Sequence, residues 1–240
     1  RRCVAGSGGT LPDFAVPPRA HWQHQIRINA PLFACLCDEA LQQSGVSVLY
    51  HAMPAAVHRD GAGWRVTLCT KQGLEEVPAK VLVDATGDAN LAELAGCPRT
   101  VVADPQPATL VCRASGYDLR DLDLDAIDAA FRAKVQAGAL SPTAAGWDAS
   151  RPSARKWLPQ HGSNANHLHL GNASTSWSRS RLEQEAQTSL LALVRFLRSQ
   201  PGLGNLTLDW LAPECGVRET ATIQGRTIIT AQDCVSGRVF

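Results

Sequence analysis

Residues 80–88, which read Lys-Val-Leu-Val-Asp-Ala-Thr-Gly-Asp, limit the possible folds of this chain more than any other stretch. The short apolar run 81–83 is typical of a buried strand in a parallel sheet. Gly87 permits a tight turn and a close approach of other atoms, because it has no Cβ. Asp88 is a good N-cap for a short helix over residues 89–95. These features together predict a strand, a glycine turn and a helix.

A unit of this kind has a possible chemical use. The first backbone N–H groups of a helix have no partner within it, and together with a glycine turn they favour an anion such as a pyrophosphate. Strand–turn–helix units without any ligand are also common. The spacing alone therefore leaves open both a nucleotide-binding role and a purely structural one.

The composition excludes several classes of protein. With 240 residues, the chain is long enough for one large domain or two small ones around a sizeable core. Its 45% hydrophobic and 19% charged residues are ordinary for a soluble globular protein. A net charge of +1 gives no support to binding of nucleic acid or of an anionic membrane. No apolar run approaches the roughly 20 residues that cross a bilayer.

The cysteines and the chain ends carry further information. The eight cysteines contain no Cys-x-x-Cys pair, which predicts reduced and mostly buried thiols in a cytoplasmic protein. The N-terminus does not resemble a signal peptide. The sequence begins at Arg1 without a methionine and ends in the apolar pair Val239 and Phe240. We therefore expect it to be a piece of a longer protein.

The predicted order of elements before residue 98 is an α/β arrangement interrupted by a β-meander. Residues 1–19 are rich in Gly and Pro and predict a loop. A helix is expected from Pro31 to Gln43, followed by a strand over 46–50. The three meander strands are expected over 55–59, 64–70 and 74–77.

After residue 98 the pattern changes to mixed helices and strands. The apolar spacing predicts helices over 124–137 and 181–199, with the second as the clearest helix in the chain. A long loop is expected over 138–166, and strands are expected over 109–117, 165–171, 206–208 and 227–229.

Two motifs together resemble a known family. The first is the stretch 79–88, and the second is Gly-Val-Arg-Glu-Thr at 216–220. They resemble the FAD-dependent oxidoreductases whose flavin domain belongs to the glutathione-reductase-like two-dinucleotide-binding group, and the resemblance covers nearly the whole chain from Ile26 onward. The N-terminal Gly-x-Gly-x-x-Gly turn and the C-terminal flavin segment of such proteins have no counterpart in this sequence. It therefore looks like the central fragment of such an enzyme.

This resemblance implies a fold and an activity. The expected fold is α/β: a partial FAD/NAD(P)-binding, Rossmann-like domain with a β-meander over 1–98, and a mixed α+β substrate domain over 99–240. The expected function is a flavoprotein oxidoreductase in which FAD takes a hydride or electrons from a small organic substrate. The alternative is a non-catalytic nucleotide-binding module or a cofactor-free structural fragment.

The resemblance also implies which residues meet the cofactor. By position, Ala85, Thr86 and Gly87 would approach FAD with their backbone, and Asp88 would cap the following helix. Ala55 corresponds to a strand position that touches the adenine with main-chain atoms.

The second motif implies the catalytic residues. By position, Arg218 and Glu219 lie toward the flavin and the substrate. The guanidinium of Arg218 would offer a fork of donors to a carboxylate or to the flavin, and Glu219 would hold that fork in place. Many relatives carry further arginines where this chain has Thr-Ala-Thr at 220–222, and a changed substrate is one interpretation of that departure.

Two histidine pairs suggest metal ligands. They are His21 with His24, and His167 with His169, the latter on one face of a strand. No Asp, Glu or Cys joins either pair at ligand spacing, so we expect no metal site.

Overall fold

The computed structural model describes residues 1–17, 24–169 and 171–239, and the chain divides into two compact units. Unit 1 comprises Arg1–Ala56 and Arg65–Pro78, and unit 2 comprises Val57–Trp64 and Ala79–Phe240. The predicted division into domains 1–98 and 99–240 stays a prediction.

The described residues of unit 1 include the helices α1 (Arg2–Gly6) and α2 (Ala30–Gln43). The prediction of α2 is confirmed, and the side chain of Asn29 caps it by accepting a hydrogen bond from the Leu32 N–H. The prediction of a loop at the N-terminus is wrong where α1 forms. Helix α1 packs on α2, since Arg2 donates to Gln43 across 2.9 Å. Residues 2–5 contain no glycine, and contact with a neighbouring helix allows them to form a short helix ahead of the glycines at 6, 8 and 9.

The predicted β-meander is confirmed. It consists of β1 (Met53–Asp60), β2 (Gly63–Thr70) and β3 (Gly73–Ala79), which form one sheet in the order β1-β2-β3. At the turn between β1 and β2, the guanidinium of Arg59 lies 3.8 Å from the ring centroid of Trp64.

Two of the predicted strands do not form. Residues 46–50 and 81–83 have no regular secondary structure, and the side chains of Val81 and Val83 are 76% and 82% exposed. A strand needs a neighbour for its backbone hydrogen bonds, and no described residue pairs with either segment. The predictions of a strand over 46–50 and of a buried parallel strand over 81–83 are therefore wrong for the described structure.

Unit 2 is a mixed α/β arrangement with small sheets. The elements are α3 (Asn90–Leu94), β4 (Arg99–Val101), β5 (Ala108–Thr109), β6 (Cys112–Ser115), α4 (Leu124–Gln136), β7 (Gly162–Ser163), β8 (His167–Leu168), α5 (Ser176–Arg198), β9 (Thr207–Leu211), β10 (Ala221–Ile223) and α6 (Ala231–Ser236). A short 3₁₀ turn (Leu119–Asp121) precedes α4. The strands pair antiparallel as β10 with β4, as β5 with β8, and as the trio β7-β6-β9.

The core of unit 2 lies between α4 and α5 and the loops around them. Phe131 of α4 is fully buried and packs on Phe196 of α5, with ring centroids 6.0 Å apart. Leu193 and Leu197 are fully buried one turn apart on α5, which confirms the helical spacing in the sequence. Helix α5 starts before the predicted Arg181, because Thr175 and Ser178 form a capping box ahead of the apolar stripe.

Three other predictions in this half need correction. The single strand expected over 109–117 is divided into β5 and β6. Residues 227–229 form no strand, and Ile228 and Ile229 are 68% and 65% exposed. Helix α6 was not expected, although Thr230 and Asp233 form a capping box at its start.

The thiols are less buried than predicted. All eight cysteines are unpaired, but only Cys112 and Cys215 are buried. Burial raises the pKa of Cys112 to about 11, so that thiol stays protonated. Among the described residues, no helix combines the length and the apolar character needed to cross a membrane.

Candidate functional site

The glycine turn over residues 84–88 is stabilised by the side chain of Asp84. One carboxylate oxygen, Oδ1, accepts from the Thr86 N–H at 2.9 Å and from the Thr86 hydroxyl at 2.7 Å. The other, Oδ2, accepts from the Ala92 N–H at 2.8 Å. Partial burial acts to raise the pKa of Asp84, but the hydrogen bonds from Thr86, Ala92 and Leu91 outweigh it and hold that pKa below its usual value.

The start of α3 is therefore capped differently from the prediction. The N-cap residue is Ala89, in a left-handed conformation with φ of 56°, and its side chain makes no cap hydrogen bond. Thr86 Oγ1 accepts from the Asn90 N–H at 3.0 Å, and Asp84 accepts from Ala92 within the first turn. The prediction that Asp88 caps this helix is wrong, because Asp84 and Thr86 satisfy those N–H groups.

Asp88 instead joins the two sequence motifs. Its Oδ1 accepts a hydrogen bond of 2.5 Å from the hydroxyl of Thr220, which lies 132 residues further along the chain. The backbone oxygen of Asp88 also accepts from Arg99 at 3.2 Å. Thr220 is 2% exposed, so this hydrogen bond is shielded from water at the threonine end.

We call the contact between Asp88 and Thr220 the junction of the two motifs. Asn172 also belongs to this junction, and no sequence pattern predicts it. Its amide nitrogen donates to the carbonyl oxygens of Val102 at 3.0 Å and of Thr220 at 2.6 Å. The Val102 N–H donates to the same Thr220 oxygen at 2.9 Å. Asn172 thus ties the end of β4 to the residue before β10. Its neighbours Gly171 and Ala173 give no motif that would have marked it.

The two predicted catalytic residues have different surroundings. Glu219 accepts from the backbone N–H of Gln106 at 2.9 Å and from its side-chain amide at 3.3 Å. Arg218 is exposed. Among the ion pairs of the described residues, none joins Arg218 to Glu219. The expectation that Glu219 holds the Arg218 fork is wrong in this structure, because the carboxylate of Glu219 instead accepts hydrogen bonds from Gln106.

The predicted cofactor residues lie in both units. Ala85, Thr86 and Gly87 form an exposed turn in unit 2. Gly87 has a φ of +85°, and a Cβ built on it meets no atom within 4 Å. Ala55 lies in β1 and is exposed, within unit 1.

Two cavities adjoin each other in unit 2, and neither includes the predicted cofactor residues in its lining. The first has a volume of about 380 Å³ and lies between residues 138–141 and α5. The second, of about 320 Å³, lies between β8, residues 141–149 and α5. Both are lined by Ser141, Glu185 and Ser189. We call the second one the histidine cavity, because His167 and His169 form part of its wall.

His167 is fixed by its neighbours on β5 and in the loop before it. Its Nδ1 lies 3.0 Å from the hydroxyl oxygen of the buried Thr109, the residue opposite it in the ladder. Its carbonyl oxygen accepts from the Thr143 hydroxyl at 2.6 Å. Burial lowers the pKa of His167, and the charges of His169 and Arg218 lower it further, although the Asn164 carbonyl acts to raise it.

The histidine pairs do not form a metal centre among the residues that the structure covers. No group of three or more His, Cys, Asp or Glu side chains there is arranged to hold a metal ion. The prediction for His21 lies outside the described residues.

Comparison with known proteins identifies a family model that matches nearly the whole chain. The model of a family described as FAD dependent oxidoreductase matches residues 3–240. Among solved structures, the OxyS anhydrotetracycline hydroxylase from Streptomyces rimosus is 21% identical, with a TM-score of 0.31 over 38% of this chain and 19% of that one. This chain therefore spans less than two thirds of that protein's length. No curated protein matches it.

Proposed function

The chain belongs to the FAD dependent oxidoreductase family, whose cofactor is FAD, and from this premise we propose how it works. In the proposal, the protein positions FAD to take a hydride or electrons from a small organic substrate. The turn at Ala85–Gly87 lies against the cofactor, and the segment with Arg218 and Glu219 lies on the substrate side. A Rossmann-like arrangement is part of the proposal, and it would require residues 46–50 and 81–83 to pair with further parallel strands.

One observation carries this proposal, the hydrogen bond between Asp88 and Thr220. It brings Asp88, at the end of the turn over residues 84–88, next to Thr220, which directly follows Arg218 and Glu219 (the Arg-Glu segment). Asp88 and Thr220 are separated by 132 residues in sequence. Asn172 supports the same junction from the side of β4. A site for electron transfer needs its cofactor-binding and substrate-binding residues in one place. In the proposal, this junction supplies that proximity within unit 2.

The turn fits part of FAD. Ala85, Thr86 and Gly87 are exposed, and the open space around Gly87 allows a planar group to approach the backbone closely. FAD bound there would supply the two-electron chemistry, while these residues would hold and orient it.

The start of α3 does not fit the pyrophosphate of FAD. The carboxylate of Asp84 already accepts from Ala92 there, and Thr86 accepts from Asn90. A second anion would face the negative charge of Asp84, whose lowered pKa keeps it ionised at neutral pH. The pyrophosphate must therefore be held by other groups, and we expect FAD to bind this chain weakly.

The hydrogen bonds of Asp84 and Thr86 at the start of α3 favour the second candidate, a non-catalytic or cofactor-free structural role. If Asp84 and Thr86 serve only to stabilise the turn, the hydrogen bond between Asp88 and Thr220 is a packing feature alone. The two candidates differ in whether that hydrogen bond affects FAD.

The test compares Thr220→Val with Thr220→Ser. Serine keeps the hydroxyl donor for Asp88, whereas valine removes it at nearly the same volume. Binding of FAD to the 240-residue chain is measured by quenching of flavin fluorescence, and folding is checked by circular dichroism. We expect Thr220→Val to weaken FAD binding by about tenfold, a loss on the order of 1.4 kcal/mol, and Thr220→Ser to bind like the wild type. Equal FAD binding by all three proteins, or none by any, would favour the structural role.

The location is also part of the proposal. We place the protein in the cytoplasm because all eight of its thiols are unpaired, which fits a reducing compartment.

A further inference from the structure

A short ladder of backbone hydrogen bonds joins β8, which lies in the wall of the histidine cavity, to the segment that contains Arg218, which lies outside the cavity lining. Thr109 of β5 lies opposite His167 on one side and opposite Gly216 on the other. Its N–H donates to Gly216 at 3.1 Å and its carbonyl accepts from Gly216 at 2.8 Å. Residues opposite each other in a ladder project from the same face, as do residues two apart along an extended chain. His169 and Arg218 each follow a ladder position by two residues.

The guanidinium of Arg218 provides the positive charge that favours an anion at this face. Arg218 is close enough to His167 to lower its pKa by charge repulsion, and His169 acts in the same direction. The acidic group in the cavity, Glu185 on α5, is compensated by an ion pair of 2.7 Å with Arg181. A carboxylate bound beside Arg218 would offset that positive charge, and it would favour protonation of His167, whose lowered pKa leaves the ring neutral at neutral pH.

The rest of the cavity suits a polar molecule of modest size. Glu185 offers acceptor oxygens from α5. The hydroxyl of Ser189 donates to the side-chain oxygen of the buried Asn166, which leaves Ser189 able to accept a hydrogen bond. A ligand with a hydroxyl or amino group near its carboxylate would therefore find acceptors at this end. The volume of about 320 Å³ accommodates a molecule the size of an amino acid.

We propose that the histidine cavity binds a small hydroxy or amino acid, with its carboxylate toward Arg218, His167 and His169 and its hydroxyl or amino group toward Glu185. This inference deepens the proposed function, because it names the chemical class of the substrate. Glu219 takes no part in it, since Gln106 holds its carboxylate.

The experiment follows the ring signals of His167 by NMR in the 240-residue chain without FAD. The chain has seven histidines, and His167→Asn and His169→Asn assign the two signals. The pH is titrated without ligand, with lactate, and with lactamide, which has the same shape as lactate but no charge. We expect lactate to raise the pKa of His167, because it places a negative charge beside the ring, and lactamide to leave it unchanged.

Arg218→Gln tests the role of the arginine. Removal of the positive charge is expected to raise the pKa of His167 in the ligand-free protein and to weaken lactate binding by about tenfold or more. The matched control is Arg226→Gln, another exposed arginine of unit 2, which should behave like the wild type.

Two results would overturn the inference. One is an equal response of His167 to lactate and lactamide, including no response to either. The other is unchanged lactate binding in Arg218→Gln. Because FAD is absent from these samples, either result leaves the flavin proposal to its own test with the Thr220 variants.

Discussion

Helix α5 and the segment 81–83 both have a clear apolar sequence pattern, but only α5 forms the predicted element and buries its apolar side chains. In α5, Leu193 and Leu197 are fully buried. In the segment 81–83, Val81 and Val83 are 76% and 82% exposed, and no strand forms.

The difference shows where each element finds its hydrogen bonds. A helix satisfies its backbone groups within itself, so a capped amphipathic sequence needs only one apolar surface to pack on. A strand must receive its hydrogen bonds from another strand, which its own sequence does not specify. The structure around residues 81–83 is therefore held by the side chain of Asp84 rather than by a sheet.

The largest expected effect on stability tests the difference in burial between α5 and the segment 81–83. Leu197→Ala leaves a cavity in the core between α4 and α5, and we expect it to lower the free energy of unfolding by about 2–5 kcal/mol. Val83→Ala, at an exposed position, should change it by less than about 0.5 kcal/mol. Urea denaturation measures both. Comparable losses in the two variants would mean that residues 81–83 are buried in solution, and the comparison would fail.

A smaller effect is expected for Asp84→Ala. This change removes the acceptor for Thr86 and Ala92, and we expect it to cost about 2 kcal/mol at neutral pH, discounted for the partial exposure of the carboxyl. Asp104→Ala, at an exposed aspartate of the same unit, is the matched control and should have little effect.

The loss should also depend on pH. The pKa of Asp84 is lowered in the folded protein, so its stabilisation is fully present above the unfolded pKa of about 4. It is lost as the pH falls through the folded value. The difference in melting temperature between wild type and Asp84→Ala should therefore shrink as the pH drops below about 4. A constant difference down to the acid limit would show that charge on Asp84 is not involved.

The smallest effect concerns Gly87. Since a Cβ there meets no atom within 4 Å, Gly87→Ala should cost only the strain of a left-handed alanine, about 1 kcal/mol. Gly61→Ala, at a turn with φ of +57° and the same open surroundings, should cost a similar amount. The two variants should differ in FAD binding, measured by flavin fluorescence, with only the Gly87 variant weakened. Equal FAD binding by both would remove Gly87 from the cofactor site.

The sequence predicted the elements that depend on local interactions. Helices α2, α4 and α5 follow from apolar spacing and caps, and the meander follows from short strands joined by glycine turns. Helix α6 was missed because its six residues are too few to show a period, although Thr230 and Asp233 carried a capping signal.

The candidate site was less predictable, for a physical reason. Asp88 and Asp84 are both plausible caps by residue type, and only the structure shows that Asp84 reaches Ala92. The hydrogen-bond partner of Asp88 and the role of Asn172 depend on contacts far apart in sequence. The order of residue types along the sequence does not indicate which distant residues form such contacts. The sequence indicates His167 and His169 as a pair, but it does not indicate the cavity that they share with Glu185.

The hydrogen bond between Asp88 and Thr220 has a consequence for how the chain is made. When residue 88 is added to the growing chain, its partner has not yet been synthesised, and 132 further residues must be added before the two can meet. The hydrogen bonds of Asp84 with Thr86 and Ala92 span only a few residues and can form at once. Contacts between distant residues form late, because the loop between them must close first. The junction of the two motifs is therefore expected to be completed near the end of folding, after the turn itself has taken shape.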